Sequence, residues 1–345
     1  MTRAKVLIVD DSAFARKVLR ELIGATPDLE VAGHARHGFE ALELISSLRP
    51  DVVTLDLMMP ELDGLGVLRA LQTFDAPPRV LLVSSSAADS DIALEGLALG
   101  AFDIVHKPTA LATDRLYELR EDFLLKLRAA AASARKAPGE PEVALTPARP
   151  RGERTRVIVV GTSTGGPQAL TRLIGALPAD LSVPLLCVVH IPEGFTASLA
   201  ERLDKSSALR VREAQEGLEL APRLAILARA GLHLRIAGHD GDARCHLDPL
   251  PPSLHRPSVD VLFESAAEVF GNGVLAVVLT GMGSDGVAGA RAVHDAGGLV
   301  LTEHPSSTVV DGMPRAVREA SLSDAQVTLG NMAHALVERV QLQPA

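Results

Sequence analysis

The chain has 345 residues, and the usual size of a domain therefore predicts two domains. Hydrophobic residues make up 47% of the chain and charged residues 22%, a composition that fills two cores and excludes an intrinsically disordered protein. The formal net charge of −9, with one Tyr and no Trp, argues against nucleic acid as the main partner.

The cysteines and the apolar runs restrict where the protein acts. Cys187 and Cys245 lack metal-ligand spacing and cannot build a disulfide framework. No apolar stretch is long enough to span a bilayer, and the acidic residues at 10 and 11 come too early for a secretory leader. We therefore expect a cytoplasmic protein without direct membrane insertion.

Residues 1–125 alternate short apolar runs with longer amphipathic ones. The pattern predicts five strands and five helices, namely strands at 5–9, 29–32, 52–57, 79–83 and 102–105 and helices at 13–24, 38–48, 64–73, 89–99 and 112–128. Right-handed crossovers between such strands produce a doubly wound parallel sheet. The first domain is therefore predicted to be a flavodoxin-like (βα)5 domain.

The composition changes at residues 126–154, where prolines, mixed charge and little apolar periodicity predict an interdomain linker. Strands and helices alternate again over residues 155–345. The clearest predicted strands of this part are 156–161, 183–190, 273–280 and 298–302, with short β-like runs in the middle region. The pattern predicts a second doubly wound α/β domain.

Charged and hydroxyl side chains follow the predicted strands of the first domain. Asp10 and Asp11 close the first strand, Asp56 the third, Ser84 the fourth and Lys107 the fifth. Ligands bind at this edge of an open α/β sheet. Three carboxylates suit Mg²⁺, a carboxylate can attack a phosphoryl group, and an ammonium and a hydroxyl can bind the phosphoryl oxygens. Single acids at strand ends often cap helices, but the coincidence of all these residues favours a phosphate switch.

The string VDDS…DVVTLDLMMPELDG…VSS…KP resembles the receiver domain of two-component response regulators across residues 1–125. The resemblance implies that Asp56 is the phosphoacceptor and that Ser84 and Lys107 are the switch pair. It further implies a Mg²⁺ site made by Asp10, Asp11, Asp56 and the backbone carbonyl of Met58.

Three positions near this site add to the expectation. The resemblance implies a cis peptide before Pro108, the one kind of bond at which cis is cheap. Ile104 stands where receivers often carry an aromatic residue, so a rotating aromatic side chain is not the expected switch readout. Met58 stands where related enzymes often carry a polar or acidic residue, which bears on the lifetime of the phosphorylated state.

The segment VIVVGTSTGGPQAL runs from a predicted strand through glycines into a predicted helix. Residues 161–165 fit the G-x-S-x-G turn that presents a nucleophilic hydroxyl, here that of Ser163. The backbone amide of Thr164 lies next to it at the start of the helix, where it can stabilise an oxyanion. A phosphate or dinucleotide loop is the alternative, but the spacing is not G-x-G-x-x-G and no G-K-[ST] follows.

A serine nucleophile needs a base and an orienting carboxylate. His190 ends the predicted strand PLLCVVH, and Asp285 follows the predicted strand in GVLAVVLTGMGSDG, so both are expected at the same sheet edge as Ser163. Each residue alone is more typical of a structural role. Their joint occurrence favours a triad in the order Ser, His, Asp, which differs from the order in α/β-hydrolases and predicts a convergent site.

The segments GTSTGGP, VVHIPEGFTASLAERLD, HRPSVDVLFESAA, VLTGMGSDGVAGA and VVDGMPRAV resemble, in order, the catalytic domain of chemotaxis protein-glutamate methylesterases over about 155–335. The resemblance implies that Ser163 is the nucleophile, His190 the general base and Asp285 its orienting group. It also implies that the Met282 backbone amide helps to form the oxyanion hole.

The two resemblances together imply an enzyme for sensory adaptation. It would hydrolyse glutamate γ-methyl esters, and deamidate glutamines, on the cytoplasmic helices of methyl-accepting chemoreceptors after a chemotaxis histidine kinase phosphorylates Asp56. Mg²⁺ is implied for the receiver and no cofactor for the hydrolase, while His255 and Arg256 are candidates for contacting an acidic receptor surface. Two alternatives stay open: the same hydrolase chemistry in a non-chemotactic sensory pathway, or a phosphorylation-controlled binding module without activity.

Overall fold

The computed structural model describes residues 3–84, 89–107, 113–134, 154–253 and 255–341. It divides into two compact units, residues 1–138 and 139–345. Among the described residues, no helix combines the length and the apolar character needed to cross a bilayer.

The first unit contains one parallel sheet of five strands in the order β2-β1-β3-β4-β5. The predicted flavodoxin-like fold is confirmed. Its strands are β1 (Ala4–Val9), β2 (Leu29–Ala35), β3 (Val52–Asp56), β4 (Arg79–Ser84) and β5 (Asp103–His106). Its helices are α1 (Ala13–Gly24), α2 (Gly38–Leu48), α3 (Gly64–Leu71), α4 (Ser90–Ala98) and α5 (Thr113–Ala134).

Helix α5 extends further than the sequence predicts, since it continues into the predicted linker as far as Ala134. Lys126, the first residue of the predicted linker, lies inside this helix. Its buried Nζ donates to the backbone oxygen of Ile104 at 2.9 Å and lies 3.6 Å from Asp103 Oδ2 and 3.4 Å from Asp122 Oδ2. A buried ammonium needs such partners, so Lys126 belongs to the core of the first unit. Residues 135–153 of the predicted linker lie outside the described residues.

The second unit contains a parallel sheet of seven strands in the order β14-β13-β12-β6-β7-β9-β8, and an antiparallel hairpin of β10 and β11. The strands are β6 (Val157–Thr162), β7 (Leu185–Val189), β8 (Arg210–Glu213), β9 (Leu224–Leu227), β10 (His233–Ala237), β11 (Arg244–Asp248), β12 (Val274–Val278), β13 (Leu299–Glu303) and β14 (Ala325–Val327). The helices are α6 (Gly166–Gly175), α7 (Thr196–Ser206), α8 (Val259–Phe270), α9 (Val287–Asp295), α10 (Met313–Glu319) and α11 (Leu329–Gln341), and a 3-10 turn spans Gly271–Gly273.

Strand register places the functional loops of this unit at one edge of the sheet. The last residue of β6, Thr162, lies opposite Val189, the last residue of β7. Gly161 lies opposite Val278, the last residue of β12. Because all three strands are parallel, the chain segments that follow them emerge side by side at the carboxyl edge. The strands are buried on both faces, as continuous apolar runs in parallel sheets predict.

Candidate active site

Ser163 lies in the tight turn between β6 and α6. Its amide donates to the backbone oxygen of Thr280 at 3.0 Å, and its own carbonyl accepts from Gly166 N at 2.7 Å. Gly165, the residue at the start of α6, has a φ of 79°, which a residue with a Cβ adopts only under strain. The turn therefore holds Ser163 between the helix N-terminus and the loop that follows β12.

His190 and Asp285 form a direct side-chain contact beside this turn. His190 Nε2 lies 2.9 Å from Asp285 Oδ2. The amide of His190 donates to the carbonyl of Thr162 at 3.1 Å, which fixes His190 next to Ser163 on the neighbouring strand. His190 Nδ1 is buried and has no hydrogen-bond partner among the described residues. The structure therefore brings the three predicted residues to one sheet edge, with Nε2 of His190 toward the carboxylate of Asp285 and Nδ1 on the other side of the ring.

Asp285 also holds the N-terminus of α8. Its Oδ1 accepts from Ser258 Oγ at 2.8 Å and from Asp260 N at 3.0 Å, and its Oδ2 accepts from Val259 N at 2.8 Å. Burial raises the pKa of Asp285, but the hydrogen bond and charge of His190, together with the backbone N–H groups, outweigh burial and hold the pKa well below its ordinary value. Asp285 is therefore an ionised acceptor that orients the His190 ring.

Asp260 makes the reverse contact with the loop that carries Asp285. Its Oδ1 accepts from Gly286 N at 2.9 Å and from Gly289 N at 2.7 Å, which places its carboxylate at the start of α9. Burial, with the negative charge of Asp285, raises the pKa of Asp260 against the effect of these N–H groups. Each of the two carboxylates thus caps the helix of the other, and this exchange fixes the position of Asp285.

His255 lies on His190. The two imidazole rings are stacked with centroids 4.2 Å apart and planes at 17°. Stacking restricts the rotation of the His190 ring, which is a contact that the sequence did not predict. The role of His255 and Arg256 toward a receptor surface stays a prediction.

Two of the backbone amides in the nucleophile turn and in the turn after β12 donate to no protein acceptor among the described residues. They belong to Thr164, which is fully buried, and to Met282 in the turn after β12. The turn is fixed on both sides of Gly281, because its N–H donates to Val310 O at 3.0 Å and its carbonyl accepts from Gly312 N and Met313 N, each at 2.9 Å. Free amides on a rigid backbone are what an oxyanion hole requires.

The first unit carries the predicted acidic site at the carboxyl edge of its own sheet. Ligand oxygens of Asp10, Asp11 and Asp56 lie within 4.8 Å of one another. Lys107 Nζ lies 2.8 Å from Asp56 Oδ2 and 2.8 Å from Asp10 Oδ2. Burial raises the pKa of Asp10 despite the opposing effect of Lys107, and the adjoining Asp56 charge raises it further. Burial alone would lower the pKa of Lys107, but the two carboxylates outweigh it and raise the pKa.

The donor set fits a hard divalent cation. Asp10 Oδ2 is buried, and although it forms an ion pair with Lys107, no described residue donates to it in hydrogen-bonding geometry. A buried carboxylate oxygen in this state is costly without a further cationic or N–H partner. Carboxylate oxygens are the ligands that Mg²⁺ prefers, and so these residues fit a Mg²⁺ ion.

The remaining predicted receiver residues border this group. Ser84 is buried at the end of β4, and its Oγ donates to Asp89 Oδ2 at 3.1 Å. The backbone N–H of Met58 donates to Asp56 Oδ1 at 3.4 Å, and its side chain is 56% exposed. Ile104 is fully buried, as a core residue of β5. The predicted cis peptide at Pro108 lies outside the described residues.

Sequence reasoning missed several side chains that hold the predicted triad residues in place. Ser258 and Asp260 belong to the HRPSVD string, but nothing in the string predicts their contacts with the Asp285 loop. Thr280 and Glu303 end or follow buried strands and were not singled out. A signal is present in each case, because polar residues at the carboxyl ends of buried parallel strands lie at the edge where ligands bind.

Comparisons with known proteins agree with this arrangement. The family model for the CheB methylesterase matches residues 158–336, and that for the response regulator receiver domain matches residues 6–118. A protein-glutamate methylesterase/protein-glutamine glutaminase 5 from Myxococcus xanthus is 54% identical over 333 residues, which cover 95% of each chain. A protein-glutamate methylesterase/protein-glutamine glutaminase from Geobacillus kaustophilus is 40% identical over 347 residues, 99% of each chain.

A solved structure supports the fold of the second unit. The crystal structure of the Thermotoga maritima CheB methylesterase catalytic domain is 38% identical, covers 54% of this chain and 99% of its own, and has a TM-score of 0.52. The matched regions and the full-length relatives agree on both parts of the sequence. The chain therefore belongs to the CheB family of protein-glutamate methylesterase/protein-glutamine glutaminases, with a response-regulator receiver domain preceding the catalytic domain.

Proposed function

We propose that this enzyme removes methyl groups from glutamate γ-methyl esters on chemoreceptors, and converts receptor glutamines to glutamates, after phosphorylation of its receiver domain. The observation that carries the proposal is the His190 Nε2–Asp285 Oδ2 contact of 2.9 Å beside Ser163, with Nδ1 of the same ring free to accept a proton. Hydrolysis of an ester and of a primary amide uses the same acyl chemistry, with methanol or ammonia as the leaving group.

The first half of the reaction is acyl transfer to the enzyme. His190 Nδ1 takes the proton of Ser163 as Oγ attacks the ester carbonyl, and the Nε2–H of the same ring donates to Asp285. The imidazolium that forms is stabilised by the ionised Asp285, whose pKa is held low by His190 and the α8 amides. Nδ1 then returns the proton to the departing methoxide, and methanol leaves.

The second half releases the product. The tetrahedral oxyanion accepts hydrogen bonds from the amides of Thr164 and Met282, and each such donor typically contributes about 100- to 1000-fold in rate. Water enters in place of methanol, and His190 Nδ1 takes one of its protons as the water oxygen attacks the glutamyl ester on Ser163. Nδ1 returns that proton to Ser163 Oγ as the acyl bond breaks, which leaves a free carboxylate. Both halves use the same base and the same oxyanion site.

The receiver domain supplies control. Asp56 accepts the phosphoryl group, Lys107 and Ser84 bind its oxygens, and Asp10, Asp11, Asp56 and the Met58 carbonyl would hold a Mg²⁺ ion. The ion would neutralise charge on the phosphoryl group during transfer, while Lys107 already lies 2.8 Å from Asp56. We expect a chemotaxis histidine kinase as phosphodonor and the cytoplasm as the location. Phosphorylation acts by favouring the state in which the catalytic domain is accessible to its receptor.

Methanol release from a methylated chemoreceptor in membranes tests this proposal. Wild type, Ser163→Ala and Asp56→Asn are compared with and without Mg²⁺ and a small phosphodonor. We expect release that requires Ser163 and that the phosphodonor increases only when Asp56 is present. Deamidation is followed in parallel as ammonia release from a receptor with glutamines at the same positions.

The outcomes separate the proposal from its alternatives. Release that does not depend on Ser163 would overturn the assignment of the nucleophile. No release, with a fluorophosphonate probe still labelling Ser163, would indicate a hydrolase with another substrate. No release and no labelling would indicate a binding module. The full-length similarity to named methylesterases argues against that outcome.

Replacement of Gly281 with Ala should lower kcat about 100-fold, the effect expected when a reacting group is displaced by about 1 Å. A Cβ at this position would overlap Met313 Sδ and lie 2.9 Å from Ser163 Cβ and 3.0 Å from Ser163 N, so the nucleophile or the oxyanion turn must shift. Gly175→Ala is the matched control, because its Cβ would meet only Ser206 O, at 3.7 Å. Equal kcat values for Gly281→Ala and wild type would show that the turn can accommodate a Cβ at position 281 without displacing Ser163.

A further inference from the structure

Glu303 is a buried carboxyl group that the triad does not use. It ends β13, next to the strand that leads into the oxyanion turn, and it is 0% exposed. Its Oε2 accepts from Thr280 N at 2.8 Å, and its Oε1 accepts from Ser307 Oγ at 2.9 Å. A carboxyl group in this environment is costly to bury, and both of its oxygens are committed to hydrogen bonds.

Thr280, the partner of Glu303, joins the nucleophile turn to the oxyanion turn. Its carbonyl accepts from Ser163 N at 3.0 Å and from Thr162 Oγ1 at 2.7 Å. Its hydroxyl donates to the carbonyl of Thr164 at 3.0 Å. Thr280 therefore contacts three consecutive residues of the nucleophile turn, and it stands two positions before Met282.

We propose that Glu303 is a positioning residue for the oxyanion hole. Glu303 accepts a hydrogen bond from Thr280 N and so fixes Thr280. Thr280 in turn contacts Thr164 and precedes Met282 by two positions, so its position affects both amides of the hole. The carbonyl of Thr280 is bonded to the nucleophile turn and its hydroxyl to Thr164 and Val310, so its N–H is the group that Glu303 holds. The use of receptor demethylation as the assay rests on the proposed function. The position of the hole relative to Ser163 does not depend on which substrate the enzyme hydrolyses.

The groups around Glu303 set its protonation. Burial raises the pKa of Glu303 to about 7 against the N–H of Thr280 and the hydroxyl of Ser307, while Asp311 raises it and Arg172 lowers it. Arg318 Nη1 donates to the Glu303 carbonyl at 3.2 Å, Arg318 Nη2 donates to Asp311 Oδ1 at 2.8 Å, and the His304 ring bonds Ser306. Because the folded-state pKa is raised, this group's contribution to stability is fully present below the ordinary Glu pKa and is lost as the pH rises through about 7.

Substitutions at Glu303 distinguish positioning from packing. Glu303→Leu keeps the size but removes the acceptor, and Glu303→Asp keeps the charge but withdraws it by one methylene. Each should lower kcat by about 10- to 100-fold with little change in KM, because the hole moves relative to the bound ester. Glu303→Gln keeps an acceptor for Thr280 N, and Ser307 Oγ can reverse its role, so kcat should remain within about threefold of wild type.

The matched control is Asp324→Leu. Asp324 Oδ2 accepts from Val300 N at 2.9 Å at the opposite end of β13, so this change also removes a carboxylate acceptor from a backbone N–H, here one that belongs to β13. It should lower the melting temperature but change kcat by less than about twofold, as expected for a distant site.

In contrast, Glu303→Gln should melt at a higher temperature than wild type at pH 8, and the difference should shrink toward pH 5 because the amide cannot ionise.

The rates are measured on the full chain by methanol release from methylated receptor and by fluorophosphonate labelling of Ser163. Loss of both rates in the Asp and Leu variants, with rescue in Gln, supports the proposal. Wild-type kcat in folded Glu303→Asp, or equal losses in the Gln and Leu variants, would overturn it. If wild type releases no methanol, the proposed substrate is wrong, and the labelling rates alone decide the role of Glu303.

Discussion

Ser163→Ala and His190→Ala should each lower kcat for receptor demethylation by about 10⁶, and the double variant should lose no more than either single variant. The reason is that the two residues act as one unit. His190 is held beside Ser163 by its backbone bond to Thr162 and is oriented by Asp285, so without the hydroxyl the base has no proton to take. The residual rate would come from the Thr164 and Met282 amides and from binding.

Measurement of methanol release from the phosphorylated full chain checks this expectation. Ser206→Ala and His294→Ala are suitable controls, since both side chains lie on helices away from the sheet edge, at the end of α7 and in α9. Losses that multiply in the double variant would show that Ser163 and His190 contribute independently. Proton transfer from Ser163 to His190 would then not account for the rate of demethylation.

The position of the site could be predicted from the sequence because the sheet is parallel. Ser163 and His190 follow apolar runs, and consecutive parallel strands place their carboxyl ends at one edge. The register Thr162–Val189 then sets the two residues side by side. The same reasoning found Asp10, Asp56 and Lys107 in the first domain, whose side chains meet at 2.8 Å in two ion pairs.

The orientation within the site could not be predicted in the same way. Which ring nitrogen of His190 faces Asp285 depends on the rotamer, which is set by the α8 amides and by the stacked ring of His255. Glu303 was missed because its acceptor role depends on Thr280, a residue 23 positions away whose distance follows only from the pairing of β12 with β13. Sequence patterns predict where strands end. Predicting which residues form hydrogen bonds also requires the strand register and the burial of each side chain.

The end of helix α5 shows the same limit in the first domain. Mixed charge and low periodicity from residue 126 onward predicted a linker, but Lys126 is buried against Asp103 and Asp122. A charged side chain is usually solvated. Only the positions of its acidic partners on β5 and α5 show that Lys126 is part of the core of the first unit.

Asp285→Asn should lower kcat by about 10⁴ while leaving the fold intact. The amide oxygen in the place of Oδ1 can still accept from Asp260 N, so part of the helix cap is kept, although Val259 N loses its acceptor at Oδ2. The amide nitrogen, however, would face His190 Nε2 and donate to it. The ring would then carry its proton on Nδ1, the nitrogen that must accept the proton of Ser163, and the base would be blocked.

Ser258→Ala is the matched control for this prediction, because it removes a hydrogen bond to Asp285 Oδ1 without touching the Oδ2–His190 contact. It should lower kcat by less than about tenfold, in line with the roughly 1 kcal/mol of an ordinary hydrogen bond. Nitrogen NMR of the His190 ring would report the tautomer directly, with the proton on Nε2 in wild type and Ser258→Ala and on Nδ1 in Asp285→Asn. A loss of kcat in Asp285→Asn with the proton still on Nε2 would show that Asp285 acts through its charge, by stabilising the imidazolium, rather than by orienting the ring.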